Sequence, residues 1–292
     1  MAEYLVMYNP LSNNKKGLES AHEIEKVFEN STFEYKSVLE IKSYAELFES
    51  TPAEKTLVLA GGDGTVNHFV NNTDGLDITR TVLYFPAGSG NDFMRDVSED
   101  GSKKYVELNT YMKDLPFVEV NGVKKRFING IGYGIDGYCC EVGDKLREAD
   151  SDKPINYTSI AIKGLLFHFS PVTATVTIDG NTSVYKNAWL VPTMNGRFYG
   201  GGMNACPKQD RLSDKKTLST MVFMGKGRLK TLMIFPSIFK GEHVNHTKQV
   251  KIFEGKEATV SFDRPCALQI DGETVLNVSS YRVYTLSTVE KF

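Results

Sequence analysis

The 292-residue chain has only four cysteines, at 139, 140, 206 and 266. They form no CxxC pair, and adjacent Cys139 and Cys140 cannot readily bridge each other, which argues against a zinc knuckle or a disulfide framework. The thiols read as reduced packing residues. No uninterrupted apolar run approaches the roughly 20 residues needed to cross a bilayer, and residues 1–8 lack the charged-then-apolar pattern of an export signal. Basic excess is also missing: 34 Lys and Arg against 36 Asp and Glu leave a formal charge of −2. Without that excess a phosphate polymer exerts no long-range pull, so nucleic acid is not an expected partner. A soluble, cytoplasmic protein with no transmembrane segment is expected.

Apolar residues make up 41% of the chain and charged residues 24%, a balance that excludes disorder. At roughly 150 residues per domain, the length predicts two domains. The first hundred residues alternate strand-like and helix-like segments. Strands are expected at 4–8, 35–41, 56–60 and 81–85, and helices at 17–30, 43–50 and from 64 to 71. Such alternation needs crossover connections and so favours a mostly parallel sheet covered on both faces. Beyond about 115 the segments become short and rich in β-branched residues, with turns such as Asn121-Gly122 and Asp179-Gly180. Strands are expected there at 117–120, 127–129, 174–178, 184–190, 217–224, 249–253, 258–262, 267–270 and 281–286. Helical insertions are expected at 155–168 and 228–239. The fold class is therefore α/β followed by β: a Rossmann-like domain over 1–117 and an antiparallel, β-sandwich-like domain over 118–292, whose last residues could return to the first.

The most informative segment is LVLAGGDGTVN at 57–67, where a buried strand runs into two glycines, Asp63, Gly64 and Thr65 before a helical stretch through Asn67. Glycines let backbone N–H groups approach a ligand, and a helix N-terminus adds partial positive charge. The turn is thus suited to phosphate. Asp63 would repel that anion unless a divalent cation lies between them or the carboxylate takes up a proton in the reaction. A lone Asp-Gly is more often a helix cap; three glycines around one aspartate directly after a strand favour the ligand.

FPAGSGNDF at 85–93 repeats the plan, with Gly88, Ser89, Gly90, Asn91 and Asp92 following a strand. In a parallel sheet both turns open at the carboxyl ends of strands, where α/β ligand crevices form. Asn9-Pro10 ends the first strand, and Ser12, Asn13 and Asn14 open at the same edge, although that run alone reads as an ordinary polar turn.

GGDGTVN at 61–67 and PAGSGNDF at 86–93, preceded by Asn9-Pro10, resemble the catalytic domain of the diacylglycerol kinase family. The match is to its soluble bacterial lipid-kinase branch, with sphingosine and ceramide kinases as more distant relatives. The resemblance continues through FINGIGYGID at 127–136, GGGM at 200–203 with Pro207, GEH at 241–243 and QIDGE at 269–273, and so spans nearly the whole chain. GGDGT alone is only moderately specific, since NAD kinases and phosphofructokinases carry related turns; its combination with GSGND is strong. The resemblance implies transfer of the γ-phosphoryl group of ATP, with Mg²⁺, to a lipid hydroxyl such as that of diacylglycerol. ATP would lie between the domains and the lipid would come from a membrane surface.

Nucleotide contacts are implied from Asn9, Pro10, Ser12 and Asn13, from Gly61, Gly62, Asp63, Gly64, Thr65 and Asn67, and from Gly88, Ser89, Gly90, Asn91 and Asp92. Ser89 stands where the family usually has threonine, and both offer a hydroxyl. The resemblance also implies a structural Mg²⁺ on Asp214, helped by the carbonyls of Arg211 and Lys216. Here the family's glycine is replaced by Lys215, which either crowds the turn or compensates the acid.

Phosphoryl transfer needs positioning, a cation across the phosphates and an acceptor for the hydroxyl proton. Asp63 is the candidate for Mg²⁺·ATP contact. Asp271 or Glu273 is the candidate base by resemblance, while the residues by themselves also read as a hairpin turn between 268–270 and 274–276. Residues 132–137 satisfy GxGxxG without a βαβ frame and read as a packed strand and turn. His243 and His246 lack further metal ligands. Residues 228–239 read first as a buried apolar face and second as a membrane contact. Two alternatives stay open: an NAD kinase-like enzyme, which GSGND argues against, and a catalytically decayed nucleotide- or lipid-binding protein, motivated by Lys215. A cytoplasmic location with visits to the inner membrane face is expected, and a homodimer is left open.

Overall fold

Apolar runs without alternation become strands buried on both faces. In the computed structural model, which describes residues 1–88, 90–98, 101–149 and 155–286, Leu57, Val58 and Leu59 are fully buried, as are Val6 and Met7. The chain divides into two units, Met1–Lys113 and Asp114–Phe292. The first unit holds strands β1 (Glu3–Tyr8), β2 (Thr32–Ser37), β3 (Thr56–Gly61), β4 (Val82–Pro86) and β5 (Val106–Glu107) in the order β2-β1-β3-β4-β5. The first four are parallel and β5 pairs antiparallel with β4, the mostly parallel sheet expected.

Its helical segments are α1 (Ser12–Lys15), α2 (Gly17–His22), α3 (Tyr44–Ser50), α4 (Asp63–Asn72), α5 (Asp92–Val97) and α6 (Asn109–Met112). Two boundaries differ from expectation. The second strand lies at 32–37 because Ser37 accepts a hydrogen bond from the Leu39 amide and turns the chain into a 3-10 segment. The helix expected over 17–30 tightens into a 3-10 turn at Glu23–Lys26.

The second unit contains β6 (Phe117–Val120), β7 (Val123–Arg126), β8 (Gly130–Tyr133), β9 (Val172–Ile178), β10 (Asn181–Leu190), β11 (Thr193–Met194), β12 (Phe198–Tyr199), β13 (Met203–Asn204), β14 (Leu218–Met224), β15 (Val250–Gly255), β16 (Glu257–Ile270) and β17 (Glu273–Tyr284). The large sheet is antiparallel and runs β7-β6-β17-β16-β8-β11-β14-β10-β9, with β15 on β14. The segments expected at 258–262 and 267–270 are one strand. Around Pro265 the ladder is irregular: residues before it pair with β9 and residues after it with β8, so β16 turns a corner and closes the run from β16 to β9 on itself, with β17, β6 and β7 continuing outside it. A core of aliphatic and aromatic side chains fills the fold, including Tyr133 stacked on Phe262 at 3.7 Å between centroids.

Among the described residues three α-helices cross this unit: α7 (Ile135–Ala149), α8 (Tyr157–Lys163) and α9 (Arg228–Ile234). The first corrects the sequence reading. Residues 132–137 are the end of β8 and the start of a 15-residue helix, rather than a strand and turn. A Cβ on Gly137 would stand 1.8 Å from the Ala267 carbonyl oxygen, so that glycine lets α7 lie against β16. Residues 127–129 are not a strand either, for a reason that belongs to the site.

Candidate active site

Three loops follow β1, β3 and β4 at the carboxyl edge of the parallel sheet, and their side chains tie them together. After β1, Asn9 Nδ2 donates to Thr65 Oγ1 at 3.1 Å, and Ser12 Oγ lies 3.4 Å from the same oxygen. Asn9 also holds its own turn by accepting from the Leu11 amide at 3.0 Å. Asn13, Asn14 and Lys15 follow in left-handed backbone (φ 49, 55 and 67°), and Asn13 Nδ2 donates to Ser20 Oγ. Pro10 lies inside this turn, with its Cα 3.1 Å from where a Cβ on Gly17 would stand.

The β3 and β4 loops are joined more closely. Asp63 Oδ2 accepts from the Asp92 amide at 2.8 Å and Oδ1 from the Phe93 amide at 2.9 Å. The carboxylate therefore caps α5, the helix of the other loop, rather than its own α4. A Cβ on Gly88 would stand 2.4 Å from Gly62 Cα, so the two backbones touch. Asn91 Nδ2 donates to the Gly88 carbonyl at 2.8 Å, and the Asp63 amide donates to the Gly90 carbonyl at 3.4 Å. Beneath both loops, Tyr84 donates to the Gly61 carbonyl at 3.1 Å. Burial, reinforced by the Asp63 and Asp92 carboxylates, pushes the Tyr84 hydroxyl well above its ordinary range and keeps it a donor. Sequence reasoning missed Tyr84; the signal was a hydroxyl within an otherwise apolar strand.

Gly64 is different. A Cβ there meets nothing within 4 Å, and its φ is not left-handed. Neither packing nor backbone geometry calls for glycine at this position in the first turn of α4, while close approach of a ligand to the backbone would. Thr65, Asn67 and Asp92 are buried; Asn67 Oδ1 accepts from Asn71, and Asp92 pairs with Arg95 at 3.5 Å. Ser89 lies outside the described residues.

In the second unit, Asp271 and Gly272 form the two-residue hairpin turn between β16 and β17, both in left-handed backbone (φ 46 and 94°). Buried Asp271 accepts the amides of Ile128 at 2.6 Å and of Asn129 and Gly130 at 2.9 Å. This is why 127–129 cannot be a strand: two of those amides are bound to a carboxylate rather than a ladder. Arg211 braces the same loop, donating to the Ile128 carbonyl and to Asn129 Oδ1 at 3.1 Å each, and Asn195 donates to the Ile128 carbonyl at 2.9 Å. Glu273 is half exposed, and its carboxylate pairs with Lys125 Nζ at 2.8 Å.

Residues 3–114 match the diacylglycerol kinase catalytic domain, and residues 129–283 match the YegS C-terminal NAD kinase beta sandwich-like domain. The chain belongs to the diacylglycerol kinase family. "Putative lipid kinase YtlR" of Bacillus subtilis (strain 168) is 26% identical, over 97% of this chain and 96% of its own length. A diacylglycerol kinase of Mycobacterium tuberculosis (strain CDC 1551 / Oshkosh) is 29% identical over 64% of this chain and 61% of its own length. In fold, the chain is similar to the crystal structure of a diacylglycerol kinase from Bacillus anthracis str. Sterne, with TM-score 0.58 and 18% identity, covering 98% and 94% of the two chains.

Membership in this kinase family implies nucleotide use, and the three-loop cradle with its open Gly64 fits a polyphosphate. The structural magnesium at Asp214 is another matter. Asp214 lies on an exposed turn next to Lys215 and Lys216. The Lys216 ammonium pairs with Asp114 at 3.0 Å, and the Arg211 guanidinium is occupied on the 128–129 loop. Among the described residues no three His, Cys, Asp or Glu side chains gather as a metal site. The ligands implied for the ion are the Asp214 carboxylate and the main-chain carbonyls of Arg211 and Lys216, on which these side-chain pairings do not bear, and no step below runs through the turn.

Three other features settle outside the site. Buried His243 has Nε2 at 2.9 Å from the Ala205 carbonyl oxygen, so that nitrogen carries its hydrogen and the ring is a packing group. Burial raises the Cys139 and Cys206 thiols, which makes them inert. Asp136, in the first turn of α7, is buried and accepts a hydrogen bond from Tyr199; burial pushes its carboxyl up to about 7 against that opposing bond. No described helix is long and apolar enough to cross a membrane.

Proposed function

We propose that this protein is an ATP-dependent lipid kinase that moves the γ-phosphoryl group of ATP onto the hydroxyl of diacylglycerol or a similar long-chain alcohol. The observation that carries the reading is Gly64, a glycine with open space where a side chain would stand, at the head of α4 and inside a cradle of three tied loops. The α4 N-terminus and the glycine-rich backbone receive the phosphates. Asn9, Ser12, Thr65 and Asn91 set the loop positions around them. Magnesium travelling with the triphosphate would offset negative charge opposite Asp63.

Asp63 and Asp271 hold backbone in place, and Glu273 is the acid left to accept a proton. In the transfer the acceptor hydroxyl gives its proton to the Glu273 carboxylate as its oxygen bonds to the γ-phosphorus. The bond from that phosphorus to the β,γ-bridging oxygen breaks, and ADP leaves. Family membership and the named kinases among its relatives support this assignment.

The test is radiolabelled ATP with diacylglycerol in mixed micelles, beside a parallel reaction with NAD. A phosphorylated lipid with no labelled NADP is the expected result. Labelled NADP alone would replace the reading with an NAD kinase. A nucleotide-induced melting shift with no product from any lipid would leave a binding protein.

A further inference from the structure

We infer that α8, with the π-helical segment Gly164–His168 behind it, and α9 together form a platform that docks on an anionic phospholipid bilayer. The two elements adjoin. Arg228, at the start of α9, donates through Nη1 to the carbonyls of Leu165 and Phe169, both at 2.8 Å. Their inner faces are already filled: Ile160, Leu165, Phe169, Ile234 and Ile238 belong to one buried cluster. What remains outside is large and apolar. Phe167 is 72% exposed, Leu229 70% and Met233 75%, with Ile162 at 40% and Phe239 at 43%. Leu229 and Met233 are four apart and therefore share one face of α9. Residues 228–239 were expected first as a buried face; Ile234 and Phe235 are buried, whereas Leu229 and Met233 are not.

Charge identifies the occupant. Residues 155–171 and 225–241 contain Lys163, Lys226, Arg228, Lys230 and Lys240 and no aspartate or glutamate, in a chain where acids outnumber bases. Lys163, Lys226, Lys230 and Lys240 are exposed around the apolar side chains. A face that paired with a second copy of itself would bring like charges together. Exposed apolar side chains with exposed lysines beside them in sequence, as at Ile162-Lys163, Leu229-Lys230 and Phe239-Lys240, instead fit acyl chains beneath anionic headgroups.

The inference deepens the lipid-kinase reading by saying where such an enzyme meets the bilayer that holds its substrate, but its test reads partition alone. The full chain is sedimented with vesicles of phosphatidylcholine and with vesicles containing a third phosphatidylglycerol, at low and high salt. Wild-type protein is expected to partition onto the anionic vesicles and to be released by salt. Phe167→Ser/Leu229→Ser/Met233→Ser is expected to lose on the order of tenfold or more in partition. Lys163→Gln/Lys226→Gln/Lys230→Gln is expected to lose about fivefold per removed cation on anionic vesicles only.

Both variants should melt where the wild type does, since these side chains are exposed. Wild-type protein that stays in the supernatant with anionic vesicles would overturn the inference, as would an apolar variant that partitions like wild type. A dimer that this variant dissolves, without vesicle binding, would make the face a contact between copies and overturn it too. Turnover of a dispersed short-chain diacylglycerol is followed separately and should survive in both variants. Wild-type protein that partitions but turns over no lipid would remove the kinase reading and leave the inference standing.

Discussion

Asp63 and Asp271 stand in similar local sequences, each an aspartate before glycine at the end of a strand, yet they sit in differently built surroundings. Asp63 bridges two loops and accepts two amides at the head of a neighbouring helix. Asp271 is buried in a hairpin tip and accepts three amides of a loop more than 140 residues away in sequence. Neither carboxylate is idle, so an acid in a glycine-rich motif can organise backbone where it seems placed for chemistry. Glu273, two residues beyond Asp271, is itself half exposed and pairs with a half-exposed lysine. The difference separates acids that hold backbone from one whose described partner is a lysine side chain.

Asp271→Ala should have the largest effect. It leaves three amide donors of a buried loop without a partner, and loss of a buried charge-assisted set costs on the order of 3–5 kcal/mol. Urea unfolding should show the second unit destabilised by that amount or failing to fold. Stability within about 1 kcal/mol of wild type would mean water replaces the carboxylate and the clamp is not structural.

Asp136 extends the comparison to a buried acid that accepts from a tyrosine hydroxyl rather than from backbone amides. Its folded pKa of about 7 lies above its ordinary 3.8 because of burial. The folded state therefore binds the proton more tightly, and raising pH between those values weakens folding by about 1.4 kcal/mol per unit, with the loss complete above 7. Asp136→Asn should remove that slope. The melting temperature of the variant relative to wild type should rise between pH 5 and pH 8, and parallel curves would show that Asp136 is ionised throughout.

Asp63→Ala should cost about 1–2 kcal/mol, the value of a helix cap, since α5 loses both its capping acceptors. Turnover should fall as well, because the β4 loop is no longer held against the β3 loop. Thermal melts read the first effect and the micelle assay the second. Unchanged stability would break the parallel with Asp271.

Much of the first unit was legible because its signals are local. The runs around Leu57 and Val82 and the glycine turns after them carry strand, turn and helix within a dozen residues. What Asp63 does was not legible, since its partners lie 29 and 30 residues on. In the second unit the strand positions were readable, but the joined sheet was not: it depends on β16 changing partners at Pro265, which no spacing announces. Helix α7 was hidden by Gly137 and Gly143, glycines that weaken a helical pattern. Gly143 would have its Cβ 2.8 Å from the Tyr157 ring, and only the packed structure shows that reason.

Gly64→Ala should barely disturb folding. The new methyl meets nothing, and alanine in the first turn of a helix is favoured over glycine by up to about 1 kcal/mol. Nucleotide binding, read by titration calorimetry with ATP, should nonetheless weaken by on the order of tenfold or more, because the methyl occupies the space a phosphate would enter. Unchanged binding would place the triphosphate elsewhere and leave this glycine unexplained.

Glu273→Gln has the smallest expected effect on stability, within about 0.5 kcal/mol, because an exposed ion pair contributes little. Its effect on rate should be of the opposite size: a lost general base lowers turnover about 10²–10⁴-fold. Nucleotide affinity should stay at the wild-type value, since the proposed role of the residue is on the acceptor hydroxyl. Lys125→Met is the control that removes the same ion pair while leaving the carboxylate, and it should keep most of the turnover. If instead Glu273→Gln remains active, Glu273 is not the base, and the contrast between acids that hold backbone and an acid that does chemistry fails at that residue.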